Sequence, residues 1–357
     1  MKKIHVSLKQ FSYDILIGQE IIVRLPKLLK SIVETAHVLL VTSRVIDRLY
    51  GKKIEQSLKK AGFQVAKHLL PEGERAKSQD ELFGIYSAAL KAGLDRTSCI
   101  IALGGGAIGD VAGFAASTFL RSIAFINIPT TLLAQVDSAV GGKTAINLKE
   151  GKNLIGTFYQ PRLVLSDLDF IRTLPEREYK SSLAEIVKYG VIASPSLFRF
   201  LEVNSRKLLE RDPKVLEHVI FESARIKARI VEKDEREATG LRAILNFGHT
   251  FAHAYEKCAG YGRLLHGEAV AIGMCDAVRL SHKIGLLHFK QKIRIELLMM
   301  RLGLPTTVEK YKLKKETILE AMLNDKKKKG KKIYFILTDR IGHVRSVPLQ
   351  PKIHHFQ

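Results

Sequence analysis

The segment from Ile100 to Thr157 reads IIALGGGAIGDVAGFAASTFLRSIAFINIPTTLLAQVDSAVGGKTAINLKEGKNLIGT. It opens with an apolar run typical of a buried parallel strand, and that run stops at Gly104, Gly105 and Gly106. The small residues that follow have helical spacing, so the three glycines are predicted to form the turn into a helix. The first amides of a helix have no internal partner, and glycine lets an anion approach them closely. This arrangement favours a phosphate-binding turn, with an ordinary tight turn as the alternative.

The rest of the segment places polar side chains after a second apolar run, IAFINIP. They comprise two hydroxyls, a carboxylate, two lysines in glycine-flanked motifs and an amide: Thr130, Thr131, Asp137, Lys143, Lys152 and Asn153. Lysines set in glycine-rich turns are poorly explained as a solvated surface. They therefore favour the phosphate-binding interpretation over the plain turn.

Length and charge limit the classes of function. A chain of 357 residues with 46% hydrophobic content can bury a large core and is expected to form two domains. The formal net charge of +22 raises nucleic-acid binding as a hypothesis. The positive residues are nevertheless spread along the chain, without a recognition helix or aromatic-basic interleaving. We therefore expect an anionic small-molecule substrate and no nucleic-acid partner.

Cysteine usage and hydropathy bear on the compartment. Cys99, Cys258 and Cys275 are few, odd in number and without metal or redox spacing, which suits a reducing environment. The amino terminus lacks the apolar core of a signal peptide, and no stretch reaches the roughly 18 apolar residues of a membrane helix. We expect a cytoplasmic protein with no membrane partner.

The hydrophobic pattern changes once along the chain. Strands alternate with helices as far as LVLSDLDF, which predicts a parallel α/β sheet. After Thr173, Leu174 and Pro175 the pattern is helical almost to the end, where IYFILTDRIGHVRSV predicts a small hairpin. The predicted domains are residues 1–172 and a mainly α-helical domain of residues 173–357.

Several metal-competent side chains lie in the helical part. His249 and His253 are four residues apart on one predicted helix face, and Glu185 and the pair His266 and Glu268 could add further ligands. A structural role for the histidine pair is the alternative. Spacing alone leaves open which of these residues bind a metal.

The quoted segment resembles the 3-dehydroquinate synthase family, and so do LAEIVKYG, NFGHTFAHA, LHGEAVAIGM and NDKK further along the chain. Together these motifs cover most of Pro71 to Lys327. The resemblance implies a Rossmann-like, parallel-sheet NAD domain, then a helical domain for metal and substrate, with the active site in the cleft between them. It also implies conversion of 3-deoxy-D-arabino-heptulosonate 7-phosphate to 3-dehydroquinate and phosphate in the shikimate pathway, with NAD, Zn2+ or alternatively Co2+, and a homodimer.

The resemblance also implies roles for individual residues, carried over motif by motif. The metal ligands would be Glu185, His249 and His266, which leaves His253 on the substrate side. The residues near NAD would be Glu74, Lys77, Gly104, Gly105, Gly106, Asp110, Thr130, Thr131, Asp137, Lys143, Lys152 and Thr173. The phosphate of the substrate would be bound by Arg121, Lys152, Asn153, His253 and Lys326. The groups around its ring and hydroxyls would be Lys143, Lys188, Lys227 and Asn246, and Arg242 would bind its carboxylate.

Two positions depart from the family pattern. Many relatives end the second core strand with an acidic residue that binds the adenosine ribose, where this chain has Thr42, Ser43 and Arg44. Arg44 would suit a 2′-phosphate, but NAD is the predicted cofactor. One extra residue lies between Glu237 and Leu241, and it is expected to enlarge a loop.

Three alternatives accompany this interpretation. Another sugar phosphate cyclase would not need Arg242, because its substrate lacks the carboxylate. A metal-dependent polyol dehydrogenase would need neither Arg242 nor the phosphate-binding residues. A nucleic-acid binder would show salt-sensitive retention on DNA and no turnover.

Overall fold

The computed structural model describes residues 1–9, 11–34, 36–260, 262–323, 328–329 and 332–350. The chain divides into two compact units, Met1–Leu174 with Lys227–Arg236, and Pro175–Ile226 with Glu237–Gln357. The sequence places its domain boundary at residue 173. The sequence could not predict that Lys227–Arg236 belong with the first unit, because these residues continue a helical pattern without a break.

The first unit is built on a central sheet. The strands of this unit are β1 (Lys2–Val6), β2 (Tyr13–Gly18), β3 (His37–Ser43), β4 (Gln64–Leu70), β5 (Cys99–Gly104), β6 (Ala124–Pro129), β7 (Lys143–Leu148), β8 (Gly151–Phe158) and β9 (Leu163–Asp167). Seven of them, among the described residues, form a sheet in the order β1-β2-β9-β6-β5-β3-β4. All neighbours in this sheet are parallel except β1 and β2, whereas β7 and β8 form a separate antiparallel hairpin. The predicted parallel α/β sheet is confirmed.

Helices cover both faces of this sheet. They are α1 (Leu25–Lys30), α2 (Arg44–Ile46), α3 (Lys52–Lys60), α4 (Gln79–Lys91) and α5 (Gly106–Thr118). Along β5, Ile100 belongs to the same buried cluster as residues of α4 and α5, and Ile101 to a cluster with residues of α1 and α3. Because successive side chains of a strand point to opposite faces, a strand covered on both sides must be apolar throughout. This explains the uninterrupted apolar run of β5.

The second unit is mainly helical, as predicted. Its helices are α6 (Glu176–Ala193), α7 (Pro195–Leu209), α8 (Pro213–Lys233), α9 (His249–Ala259), α10 (His266–Lys283), α11 (Phe289–Arg301) and α12 (Lys315–Leu323), with the end of α8 grouped in the first unit. Strands β10 (Lys328–Lys329), β11 (Lys332–Arg340) and β12 (His343–Leu349) form a three-stranded antiparallel sheet. Its β11 and β12 are the predicted hairpin. Of the helices that the structure describes, none has the length and apolarity needed to cross a membrane.

Helix α10 packs against backbone at two glycines. A Cβ atom on Gly267 would lie 1.9 Å from the carbonyl oxygen of Ser181 in α6, and one on Gly273 would lie 2.2 Å from the carbonyl oxygen of Gly248. Gly248 itself has a φ of 79°, a conformation that favours glycine, and it directly precedes α9. These contacts hold α10 against α6 and against the start of α9 at a separation that no larger residue permits.

We expect Gly267→Ala to lower the free energy of unfolding by about 3 kcal/mol, because its methyl group would overlap a backbone oxygen that cannot rotate away. Urea unfolding of the metal-free protein, followed by circular dichroism, measures this change. Gly84→Ala in α4 is the matched control, since its methyl group would meet only the imidazole of His68, at 3.0 Å. Equal unfolding midpoints for the Gly267 variant and the wild type would contradict the packing argument.

Candidate active site

Two imidazoles and a carboxylate converge in the second unit. Glu185 lies inside α6, whereas His249 and His266 are the first residues of α9 and α10. The Nε2 atoms of His249 and His266 lie 3.4 and 3.7 Å from Oε1 of Glu185. One ligand atom from each of the three residues lies within 4.8 Å of the others. These are the three residues that the family resemblance implies as metal ligands.

The hydrogen bonding of His249 leaves one nitrogen available to a metal. Its Nδ1 lies 3.1 Å from the carbonyl oxygen of Phe247, which can only accept, so Nδ1 carries the proton and donates it. Burial, reinforced by the charge of Lys188, lowers the pKa of His249 well below its ordinary value. The imidazole is therefore neutral, and its unprotonated Nε2, 3.4 Å from Oε1 of Glu185, keeps a lone pair that could bind a metal.

His266 lies between two carboxylates. Its Nδ1 is 3.5 Å from Oε2 of Glu256, on the side of the ring opposite Glu185. Burial lowers the pKa of His266, but hydrogen bonds to Glu185 and Glu256 outweigh burial and raise it to about 10. The position thus stabilises positive charge strongly, and a divalent ion could replace the proton. Two imidazole nitrogens and one carboxylate oxygen are a donor set that fits Zn2+ or Co2+.

Two other residues that the spacing offered as ligands lie differently. The ring of His253 is 5.7 Å from that of His249, its side chain is exposed, and it does not belong to the metal-competent group found among the described residues. Glu268 instead accepts two hydrogen bonds of 2.8 Å from Arg177. The metal-competent group thus pairs His249 with residues of two other helices, α6 and α10, which helical spacing alone could not indicate.

Two of the predicted cations are buried in the second unit. Lys188 lies one turn after Glu185 on α6 and forms an ion pair with it, with only 2% of the lysine side chain exposed. Arg242 is equally buried, and its Nε lies 3.5 Å from Oε1 of Glu237. Arg242 belongs to the 3-10 helix Leu241–Asn246, which ends at the predicted residue Asn246. Lys326, predicted to bind phosphate, lies outside the described residues.

The glycine turn of the first unit has the predicted form. Gly104 ends β5, Gly105 precedes α5 and Gly106 begins it, and the described chain provides no side-chain cap for this helix. A Cβ atom on Gly106 would lie 2.7 Å from Oγ of Ser138, so the turn has no room for a larger residue. Thr130 is buried, and its Oγ1 has no hydrogen-bond partner among the described residues. Open helix amides beside a buried hydroxyl fit the pyrophosphate of NAD.

A polar cluster brings four predicted residues together in the first unit. The ammonium group of Lys77, which is 3% exposed, contacts the side chains of Asp110 and Asn153. Nδ2 of Asn147 donates to Oε2 of Glu74 at 2.7 Å, and Oδ1 of Asn147 accepts from the backbone amide of Asn153 at 2.9 Å. Burial raises the pKa of Asp110, which Lys77 opposes. Sequence reasoning missed Asn147, although it lies in the quoted GGKTAIN motif.

Other predicted residues of the first unit lie elsewhere. Nζ of Lys227 donates to the carbonyl oxygen of Asp137 at 2.6 Å and to its Oδ1 at 2.8 Å, a pairing of residues far apart in sequence. Oγ1 of Thr173 lies 2.5 Å from the hydroxyl of Tyr50. The remaining predicted residues lie after α5, after β6 and in the β7–β8 hairpin: Arg121, Thr131, Lys143 and Lys152.

Comparisons with known proteins identify the family. Family models described as 3-dehydroquinate synthase N-terminal and C-terminal match residues 67–181 and 182–328. The chain is 46% identical over 344 residues to a 3-dehydroquinate synthase of Citrifermentans bemidjiense, covering 96% of this chain and 94% of that protein.

Two solved structures are similar over nearly their full length. A 2-deoxy-scyllo-inosose synthase complexed with carbaglucose-6-phosphate, NAD+ and Co2+ has a TM-score of 0.91 at 25% identity, covering 99% of this chain and 98% of that one. A 2-epi-5-epi-valiolone synthase from Streptomyces hygroscopicus with NAD+ and Zn2+ bound has a TM-score of 0.87 at 28% identity, covering 98% and 96%.

We expect His249→Ala and His266→Ala each to lose bound zinc, because two remaining protein ligands hold the ion far more weakly than three. His253→Ala is the matched control and should keep the metal. Elemental analysis of the purified variants after dialysis measures the bound ion. Stoichiometric metal in the His266 variant, or its loss in the His253 variant, would show that the ligand set is wrong.

Proposed function

The chain belongs to the 3-dehydroquinate synthase family, and on that premise we propose how its residues convert 3-deoxy-D-arabino-heptulosonate 7-phosphate to 3-dehydroquinate and phosphate. The activity is that of a phosphate-eliminating lyase in the shikimate pathway, which supplies chorismate and the aromatic amino acids. The observation that carries the proposal is the buried group of Glu185, His249 and His266, in a chain matched by both family models.

Two groups would supply chemistry that no side chain can. When bound, NAD would provide reversible hydride transfer at the carbon 5 alcohol, and the divalent ion would provide polarisation of the oxygen at that carbon. Glu185, His249 and His266 would hold the ion, and neutral His249 needs no deprotonation to do so. Lys188, paired with Glu185, keeps an ammonium group beside this position, where it can hydrogen-bond a substrate hydroxyl and stabilise negative charge.

The substrate carries a carboxylate and a phosphate, and we assign separate cations to them. Arg242 would bind the carboxylate through two parallel hydrogen bonds, which a planar guanidinium permits. Its near-complete burial strengthens that interaction, because water does not compete. The phosphate would be bound by five side chains: Arg121, Lys152, Asn153, His253 and Lys326. Lys143, Lys227 and Asn246 would contact the ring and its hydroxyls.

The first unit would bind NAD at the carboxyl ends of its parallel strands. The open amides of α5 and the hydroxyl of Thr130 would face the pyrophosphate, and Thr131, Asp110, Asp137 and Thr173 would add polar contacts. Glu74 and Lys77 would contact the ribose, and their contacts with Asn147, Asn153 and Asp110 already hold them in place. Such pre-organisation lowers the entropy that binding must overcome.

Preference between NAD and NADP depends on the end of β3. The hydroxyl of Thr42 donates to the carbonyl of Leu103 at 2.7 Å, and Oγ of Ser43 caps α2, so both hydroxyls have partners in the chain. The backbone amide of Val45 donates to Oε1 of Glu72 at 3.2 Å, which places a carboxylate at this strand end. A carboxylate there would accept hydrogen bonds from a ribose and repel a 2′-phosphate.

We therefore expect the protein to bind NAD more tightly than NADP, in spite of Arg44. Glu72→Ala should lower the ratio of the NADP to the NAD dissociation constant by about tenfold or more. The substitution removes a charge that repels the 2′-phosphate and a carboxylate that accepts hydrogen bonds from the ribose. Isothermal titration of each nucleotide with both proteins measures the ratio of dissociation constants. Tighter binding of NADP by the wild type would contradict the predicted preference for NAD and would indicate that Arg44 binds the 2′-phosphate.

Assembly and compartment are also proposals. Strand β8 exposes Leu154, Ile155 and Phe158, and an exposed apolar strand edge is suited to pairing with a second copy of the chain, which supports a homodimer. The three free cysteines, two of them buried, support the reducing cytoplasm.

The decisive experiment for the function incubates metal-replete protein with the heptulosonate phosphate and a trace of NAD. Many phosphates released per NAD would support the proposal, because the synthase regenerates its cofactor. A parallel assay uses a hexose or heptose phosphate that lacks the carboxylate. Preference for that sugar would favour another cyclase, and net reduction of NAD would favour a polyol dehydrogenase.

The same assay tests Arg242. Losing a charged partner in a desolvated site costs about 2 to 5 kcal/mol, so we expect Arg242→Ala to lower activity on the heptulosonate by roughly thirtyfold to several thousandfold. Arg242→Lys should also be impaired, since lysine cannot form two parallel hydrogen bonds. Both variants should retain zinc and NAD. Full activity of the alanine variant would contradict the carboxylate-binding role.

A further inference from the structure

Glu268 and Arg177 form a bidentate ion pair in the second unit. Nε of Arg177 donates to Oε1 of Glu268 and Nη2 donates to Oε2, both at 2.8 Å. Nη2 also donates to the carbonyl oxygen of Arg263 at 2.8 Å. One guanidinium therefore binds both the first turn of α10 and the segment that precedes it.

The same carboxylate fixes the start of α10. Oε2 of Glu268 accepts from the backbone amide of Leu265 at 2.9 Å, and Leu265 directly precedes His266. A hydrogen bond from a side chain in the first turn to the residue before the helix fixes the direction in which the chain enters it. The backbone of His266 is thereby held on both sides, by Leu265 before it and by the turn containing Glu268 after it.

The other end of the pair reaches the helix that carries the first ligand. Arg177 lies in α6, eight residues and slightly more than two turns before Glu185. The ion pair thus joins α6 to the first turn of α10. Ser181 and Gly267 are in backbone contact between these two positions, so the two helices are fixed at two points along the stretch that leads to the metal-competent group.

We propose that Arg177 and Glu268 are positioning residues that hold His266 at ligand distance from Glu185, and so determine the affinity and coordination geometry of the divalent metal site. Neither residue is a metal ligand in this proposal, which rests on the proposed metal-dependent function. Removing a group that orients a metal-binding histidine typically lowers metal affinity by about 10- to 100-fold.

The second unit contains a matched control pair. Arg294 in α11 binds Glu202 in α7 with the same bidentate geometry, Nε to Oε1 at 3.0 Å and Nη2 to Oε2 at 2.7 Å. This pair also joins two helices, but neither helix contributes to the metal-competent group. Substitutions that remove the Arg294–Glu202 pair should lower stability as the loss of any such ion pair does, but they should leave metal affinity unchanged.

The experiment measures Co2+ affinity by competition with a chelator, together with the visible absorption spectrum of bound Co2+, in purified full-length protein. We expect Glu268→Gln and Arg177→Lys to weaken Co2+ binding by about 10- to 100-fold and to alter the spectrum. Glu202→Gln and Arg294→Lys should remain within about threefold of the wild type, with an unchanged spectrum. Circular dichroism shows whether each variant is folded. If Glu268→Gln fails to fold, the result for Arg177→Lys, which keeps the positive charge, decides whether the pair positions His266.

The outcomes separate this inference from the proposed function. Wild-type affinity and spectrum in the Arg177 and Glu268 variants would overturn the positioning role while leaving the metal site intact. Equal losses in the control pair would also overturn it, because the effect would then follow general stability. A wild-type protein that binds neither Co2+ nor Zn2+ would instead refute the metal-dependent function.

Discussion

The close approach of α10 to two stretches of backbone is the constraint on which the candidate active site depends. Gly267 lies against Ser181 in α6, and Gly273 lies against Gly248, the residue before His249. Gly267 directly follows His266, and Ser181 lies about one helical turn before Glu185. In the other contact, Gly248 directly precedes His249. Backbone packing therefore limits how far Glu185, His249 and His266 can move apart, because backbone atoms cannot adjust as a flexible side chain does.

This packing places ionisable groups where water is largely excluded, and burial of charge opposes folding. Glu185 is 1% exposed and Lys188 2%, and both lie on one helix face beside two imidazoles. Apolar residues of similar volume would pack as well without that desolvation. The arrangement is better explained by function, because a divalent ion bound by Glu185 would be stabilised strongly in a site with little water.

The sequence predicted the features that depend on local pattern. The apolar run of β5, the glycine turn into α5 and the hairpin of β11 and β12 follow from side-chain periodicity and turn chemistry. Periodicity could not identify contacts between distant residues. The Lys227–Asp137 and Arg177–Glu268 pairs join residues far apart in sequence. The spacing of the histidines left open which of them converge with Glu185. The family motifs predict Glu185, His249 and His266 as the metal ligands, and the structure brings these three side chains together. The motifs could do so because they carry information about tertiary structure that a single helix face does not.

The loop before Arg242, which the family resemblance implies to be enlarged, leads directly into the segment that carries a buried guanidinium. Glu237 and Gly240 have φ angles of 57° and 81°, so both ends of the Glu237–Gly240 segment adopt left-handed backbone conformations. The 3-10 helix Leu241–Asn246 then begins directly after Gly240, and Arg242 remains 2% exposed. Glu237, at the other end of the loop, still lies 3.5 Å from the guanidinium of Arg242. Because Glu237 and Arg242 remain in contact across this segment, the enlarged loop that the family resemblance implies is compatible with the proposed role of Arg242 in binding a carboxylate.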